Sequence, residues 1–235
     1  MHLSAHSPKT NHRFLQELED ASHKADAIIL VGDIFDVWIG DDNAIQKPEK
    51  WLQDICWAFK RAAKKTNLYI MRGNRDFLLG DQFATHTSST LLPDQVILKT
   101  QLGNVLVSHG DEYCTSDHSY QRFKSITRKK WLQNIFLQLS LTLRKKIAAW
   151  ARKGSMHSQN KKSQYIMDVE QQAINQAFEQ SGCNLMVHGH THRPNTHIIN
   201  IDGTTYKRIV LTDWDYDHDN RGGWLIINKN GIRTS

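Results

Sequence analysis

At 235 residues, with 39% hydrophobic and 23% charged side chains, the chain is long enough for one core-bearing domain with an elaboration. No apolar run approaches the ~18 residues that span a bilayer. Residues 1–11 are polar and lack the apolar centre of a signal peptide, and three widely spaced cysteines (Cys56, Cys114, Cys183) without a CxxC pair exclude a disulfide framework or zinc knuckle, which fits a reducing, cytosolic setting. The net charge of +6 hides an asymmetry: residues 118–167 hold twelve Lys or Arg and no Asp or Glu, leaving eighteen basic against twenty-four acidic residues elsewhere. An anionic partner is expected to meet the chain there.

In chain order, residues 11–24 place Phe14, Leu15, Leu18 and Ala21 on one face of an expected amphipathic helix. Residues 27–31 (AIILV) are a short apolar run ending at Gly32, the pattern of a buried strand. A second helix is expected from Pro48, a good first-turn residue, with Trp51, Leu52, Ile55, Cys56 and Phe59 buried. Residues 68–71 read as a strand ahead of Gly73-Asn74, and residues 96–98 and 105–108 as a hairpin around Leu102-Gly103-Asn104. A helix is expected over 163–181 with Gly182 as its stop, then a strand over 185–187 running into Gly189. Residues 198–201 and 206–211 flank Asp202-Gly203, a two-residue hairpin signal, and 224–228 precede the turn Asn230-Gly231. Strands alternating with helices early and hairpins late predict an α/β sandwich of mixed sheets. With no repeat and no low-complexity linker, residues 1–235 read as one domain.

Four of the apolar strands end beside a glycine and a metal-competent side chain: Gly32-Asp33, Gly73-Asn74, His109-Gly110-Asp111 and His188-Gly189-His190-Thr191-His192. Strand ends aim side chains from rigid backbone, and glycine permits close approach. One Asp, one Asn and three His form an oxygen and nitrogen set that suits Mn, Fe or Zn better than Ca or Mg. No cysteine ligand is offered, so a structural zinc site is not indicated. Two ions ~3.5–4 Å apart, bridged by Asp33, suit an in-line attack of activated water on phosphorus. Any one motif alone reads equally as a turn former, a helix cap or exposed histidines. All four together, in this order and each after an apolar run, point to a dinuclear site.

The motifs GDIFD (32–36), GNRD (73–76), SHGD (108–111) and GHTH (189–192) resemble those of the calcineurin-like metallophosphoesterase superfamily over nearly the whole chain. The resemblance implies a metallophosphoesterase-type α/β/β/α sandwich of two mixed sheets. Longer stretches, VGDIFDVWIGDD (31–42), MRGNRDFLLG (71–80), HGDEYCTSDHSYQRF (109–123), KSQYIMDV (162–169) and GHTHRP (189–194), are similar to one branch of that superfamily. That branch uses manganese to hydrolyse the diphosphate of a UDP-diacylglucosamine in lipid A biosynthesis, giving UMP and a diacylglucosamine 1-phosphate. The resemblance implies one ion on His2, Asp33 and His192 and a second on Asp33, Asn74, His109 and His190. It implies Asp33, Asn74, Arg75, His109 and His190 as the catalytic set. Substrate contacts would come from Asn74, Arg75, Asp117, Ser155, Gln159, Lys162 and His190, with Gln159 standing where the family often has Asn.

Two departures from the family pattern carry expectations. The family opens with a strand ending Asp-x-His; here His2 matches, but its Asp would fall one residue before Met1. The first strand and one ligand are therefore expected to be missing, with upstream codons expected to supply them. Many members also have His where Arg75 stands. A phosphate monoester with pKa ~6 leaves without a proton donor, so an arginine that forks onto phosphate oxygens favours diphosphates. The plainer reading of Arg75 is a salt bridge with Asp36 or Asp76.

In the basic stretch, Trp131, Ile135, Leu139, Leu143 and Ile147 repeat every four residues, joined by Leu132, Phe136 and Trp150. One or two amphipathic helices are expected, forming a lid at about 118–162 that grips acyl chains and docks peripherally on the cytoplasmic face of the inner membrane. The stripe is aliphatic rather than aromatic, so nucleic acid is disfavoured as a partner. No obligate protein partner is inferred. Competing expectations are a metal-dependent phosphodiesterase on soluble nucleotides or nucleic acid, and a scaffold with a weakened metal site.

Overall fold

The computed structural model describes residues 1–159 and 168–235, and for 153–159 the backbone alone. Its first half runs α1 (Pro8–Ser22), β1 (Ala27–Val31), α2 (Asp42–Ile45), α3 (Lys50–Ala63), β2 (Asn67–Met71), α4 (Asp81–Thr87) and β3 (Thr90–Leu91). An antiparallel pair, β4 (Gln95–Thr100) and β5 (Gly103–Ser108), leads to three helices, α5 (His118–Thr127), α6 (Lys130–Gln138) and α7 (Leu141–Gln159). Then come α8 (Gln171–Ser181), β6 (Leu185–His188), β7 (Asn195–Ile201), β8 (Thr204–Val210), β9 (Leu225–Asn228) and β10 (Gly231–Thr234).

Strands β1, β2 and β3 pair in parallel, while β4-β5-β6-β8-β7 form a five-stranded mixed sheet and β9 and β10 a hairpin. The period-two alternation of strand side chains sorts the core into layers. Ile28, Leu30, Leu68 and Ile70 face outward onto Phe14, Leu18, Ile55 and Phe59 of α1 and α3. Their neighbours Ile29, Val31 and Met71 face inward and meet Val105, Val107, Val187 and Ile209 of the second sheet. The other face of that sheet, with Leu106, Met186 and Tyr206, packs on Ile174 and Phe178 of α8. The result is helix, sheet, sheet, helix, as expected for the α/β sandwich. Strands β1, β2 and β6 are covered on both faces and are mostly apolar runs, whereas β4 and β7 at the edges of the second sheet alternate exposed and half-buried positions.

The turns follow local chemistry. Gly182 ends α8 in the left-handed region at φ 63°, and Asp202 and Gly203 both have positive φ in the two-residue turn between β7 and β8. One expectation is corrected. The helix expected over 163–181 starts at Gln171 among the described residues. Tertiary bonds hold the residues before it extended: Asp168 pairs with Arg193, and Glu170 N–H donates to Tyr113 O at 2.8 Å. The strand expected to precede His2 does not figure among the elements of the described residues, and the chain after His2 makes a single parallel bridge. Leu3 is fully buried opposite Phe35, its N–H donates to Ile34 O at 2.8 Å, and Asp36 N–H donates to Leu3 O at 3.1 Å.

The basic stretch forms α5, α6 and α7, with Leu139 extended between the last two. Arg144 fastens this assembly to the body. Only 2% exposed, it donates to Leu139 O and to Ile39 O at 3.0 and 2.6 Å and forks onto both oxygens of Asp42. Much of the apolar stripe is left uncovered: Trp131, Ile135, Leu143 and Trp150 are exposed, Trp150 by 79%.

Candidate metal centre

Parallel register brings the motif-bearing strand ends together in pairs. Val31 lies opposite Met71, so Gly32-Asp33 and Gly73-Asn74 emerge side by side, and Ser108 opposite His188 does the same for His109 and Gly189-His190. The two pairs meet across the sandwich, where His109 Nδ1 donates to Val31 O at 3.0 Å. Ligand atoms of Asp33, His109 and His190 lie within 4.8 Å of one another. Asn74 Oδ1 sits 3.1 Å from His109 Nε2 and 2.9 Å from His190 Nδ1. On the other side of Asp33, His2 Nδ1 is 3.9 Å from Oδ2, and His2 Nε2 is 3.0 Å from His192 Nε2. All six residues singled out as metal ligands are thus gathered around one carboxylate.

Glycine makes that closeness possible. A Cβ on Gly73 would lie 2.2 Å from Asp33 Oδ1, and one on Gly32, which has φ +74°, would lie 2.5 Å from His109 Nδ1. Four of the gathered residues carry backbone strain: His2, Asp33, His190 and His192 all have positive φ, between 48° and 67°. Non-glycine residues in that region concentrate where surrounding structure forces a functional geometry.

Asp76 enforces it. Fully buried, it accepts from the N–H groups of Gly73 and Ile34 at 2.6 Å, Asp33 at 3.2 Å and Phe35 at 3.3 Å, tying both metal-bearing loops to one side chain. Burial, and then the charge of Asp33, push its carboxyl up to about 6. Burial also works against the charge on Asp33. There His109, His190 and Arg75 outweigh it and hold the carboxyl below its ordinary value. Burial pulls His190 down to about 4 and lowers His2 as well, keeping both rings neutral with a lone pair to give.

These donors fit divalent ions. Burial works against a charge on His109, but Asp33 and Asp111 outweigh it and hold the ring above its ordinary value, so with Nδ1–H on Val31 O its Nε2 carries a proton towards Asn74 Oδ1 that a cation can replace. With His192 Nδ1 turned to Asp213, its Nε2 accepts from His2 Nε2 at 3.0 Å, and both nitrogens stand where an ion could take the place of that proton. A carboxylate, an amide oxygen and imidazoles brought this close suit divalent transition ions.

Arg75 is both near the carboxylate and salt-bridged. Its N–H donates to Asp33 Oδ1 at 2.9 Å, its Nε is 3.8 Å from Asp33 Oδ2, and its Nη1 pairs with Asp36 Oδ1 at 3.0 Å. Asp36 is the partner, and Asp76 is committed to backbone. Asp117 is the N-cap of α5, with Oδ1 accepting from Tyr120 N–H at 3.0 Å and Ser119 Oγ at 2.8 Å. Ser155 and Gln159 lie on α7 where only backbone is described, and Lys162 is outside the described residues.

Sequence reasoning missed several neighbours. Asp213 holds His192, and Tyr120 and Lys124 both bond Asp111 of the SHGD motif, Lys124 at 2.9 Å. Arg152 on α7 reaches Asp36 Oδ2 at 2.5 Å. The acid-free stretch was the one available signal for Lys124 and Arg152; nothing local marked Asp213.

Comparison with known proteins adds independent support. A UDP-2,3-diacylglucosamine hydrolase of Bordetella parapertussis is 42% identical over 235 residues, covering 99% of this chain and 91% of that protein. Proteins of the same name from Proteus mirabilis and Aeromonas salmonicida are 41% and 42% identical, covering 91% of this chain and 88% and 83% of their own lengths. The profile of the calcineurin-like phosphoesterase family matches residues 2–194, a span that holds every ligand gathered around Asp33. On that match, and on the near full-length identity to its relatives, the chain belongs to the calcineurin-like phosphoesterases.

Proposed function

We propose that this chain hydrolyses the diphosphate of UDP-2,3-diacylglucosamine, releasing UMP and 2,3-diacylglucosamine 1-phosphate, as a step of lipid A biosynthesis. The observation that carries the reading is the gathering of Asp33, Asn74, His109, His190, His2 and His192 with Arg75 beside them. The names of the relatives, at about 40% identity, supply the substrate.

Asp33, Asn74, His109 and His190 would hold one divalent ion, and His2, Asp33 and His192 the other; the donor set favours manganese. Ions bound there supply positive charge to the phosphoryl oxygens and make water acidic enough to deprotonate near neutral pH. The side chains provide aim. Asp76 fixes the two loops, Val31 O sets the His109 tautomer, and Asp36 holds the Arg75 guanidinium beside the ligand carboxylate. From there Arg75 can meet the developing charge on the diphosphate oxygens in a fork. The leaving phosphate monoester needs no proton donor, which accounts for arginine at this place. Asn74 and His190 would also touch substrate, with Asp117 and the 155–162 segment as further contacts.

We propose α5 to α7 as a lid that accepts the acyl chains and rests peripherally on the inner-membrane surface, within one catalytic unit of residues 1–235. Exposed Trp131, Ile135 and Trp150 beside basic clusters support this, since Lys and Arg near an anionic leaflet contribute ~1 kcal/mol each. Among the described residues no helix is long and apolar enough to cross a membrane.

The test is direct. UDP-2,3-diacylglucosamine with manganese should yield UMP in the presence of detergent, and Asp33→Ala or His190→Ala should abolish turnover while leaving the circular dichroism spectrum unchanged. Full activity in either variant, or cleavage of soluble phosphodiesters in preference to the lipid, would overturn the reading.

A further inference from the structure

On the α8 side of the second sheet, behind the His190–His192 loop, lies a cavity of about 210 Å³ lined by Asp168, Thr191, Arg193, Asn195, His197 and Arg208. The chemistry of Arg208 is incomplete. Arg208 is 7% exposed, and its Nε is buried with no hydrogen-bond partner among the described residues. Nη1 donates to His188 Nε2 at 3.0 Å, and His188 in turn gives its Nδ1–H to Gly189 O at 2.9 Å. That ring is therefore a neutral acceptor, and the charge that favours the guanidinium comes from Asp168 across the cavity, out of contact with it.

The carboxylate nearest the cavity is already committed, because Asp168 pairs with Arg193 Nη1 at 2.5 Å. Among the described residues no carboxylate bonds Arg208. A buried charge is costly unless a counter-charge and hydrogen bonds satisfy it, and a guanidinium presents its nitrogens as a planar fork that matches two oxygens of a tetrahedral anion. His197 stands directly across the β7–β8 ladder from Arg208, on the wall of the same cavity. At ~30 Å³ per water-sized unit, the space takes a phosphoryl group with a few waters. Anything attached to that group must leave through the mouth.

We propose that this cavity is an oxyanion site, distinct from the metal centre, in which Arg208 binds a phosphate-sized anion. None of the six residues gathered around Asp33 lines the cavity, and Thr191, between His190 and His192, does.

The experiment uses the full chain in buffer with a chelator, so that phosphate cannot be captured by metal. Thermal unfolding is followed against inorganic phosphate at constant ionic strength, for the wild type, Arg208→Gln and His197→Glu. At roughly ten times its dissociation constant, phosphate should raise the wild-type midpoint by about 3 °C. Arg208→Gln should lose that rise. His197→Glu places a carboxylate across the ladder from Arg208, so it should raise the midpoint in phosphate-free buffer and abolish the response to phosphate. Should Arg208→Gln fail to fold, the His197→Glu comparison decides alone.

A parallel titration with UMP separates the sources of the anion. A larger rise than with phosphate assigns the site to a nucleotide's phosphate, and an equal or smaller rise assigns it to the free ion. No phosphate-dependent rise in the wild type overturns the proposal. So does an undiminished rise in His197→Glu, which would place the binding elsewhere, for example on the basic helices.

Discussion

His192 turns its Nδ1 towards Asp213 Oδ2 at 3.5 Å while its Nε2 faces His2, and Asp213 is itself clamped by Arg221 at 2.7 Å. A carboxylate behind a ligand histidine fixes the ring's tautomer and raises its basicity, and losing such a partner typically costs 10–100-fold in metal affinity. Asp213→Ala should therefore weaken manganese at one site of a two-site titration by roughly that factor. The site built on Asn74, His109 and His190 should be spared. Equal weakening of both sites, or of neither, would count against the arrangement.

Arg75 reads the same way by chemistry. Arg75→Lys keeps the charge but removes the fork, so kcat/KM should fall roughly 100-fold, the scale for losing one aimed donor to developing charge. Metal stoichiometry should not change. A loss of bound metal in that variant would show that Arg75 serves the ligands rather than the substrate.

Gly73 has no room for a methyl group, since its Cβ would fall 2.2 Å from Asp33 Oδ1. Gly73→Ala should cost about 1–3 kcal/mol in denaturant unfolding, the range for forced overpacking, and should also displace Asp33 from its ligand position. Unchanged stability and unchanged metal binding together would contradict the geometry.

Helices α5 to α7 are fastened to the body by Arg144 and Asp42, and the Arg144 bond is the main cause that holds the Asp42 carboxyl below its ordinary value. The sign follows from linkage. A carboxyl depressed in the folded state contributes stability that is complete above its unfolded value of 3.8 and is lost as pH falls through the lower folded one. Hydrogen exchange of α6 and α7 should thus be slower in the wild type than in Asp42→Asn at neutral pH, and the two should converge only once the pH has fallen well below 3.8. A difference that persists undiminished at acid pH would exclude this ion pair as the fastening.

How much of this was legible in the sequence depends on the distance over which each interaction acts. The strands beside the metal centre, the stop at Gly182 and the Asp202-Gly203 turn are local facts, written in runs of apolar residues and in residues that accept positive φ. The four short motifs announced their own chemistry because glycine and ligand are adjacent in the chain. By contrast, residues 168–170 stay out of the α8 helix, because Asp168 finds Arg193 and Glu170 finds Tyr113, partners no local pattern specifies.

By itself, then, the sequence determined which side chains could serve as ligands and which strands would carry them, since both depend on neighbours a few residues apart. Only the tertiary structure decided that His2 meets His192 across 190 positions, that Asp213 stands behind that ring, and that Arg144 reaches Asp42 across 102. It also decided that Arg208 is buried with an unpaired nitrogen. The physical reason is that solvation and charge pairing depend on what lies within a few ångströms in space, which the chain fixes only after its layers have packed.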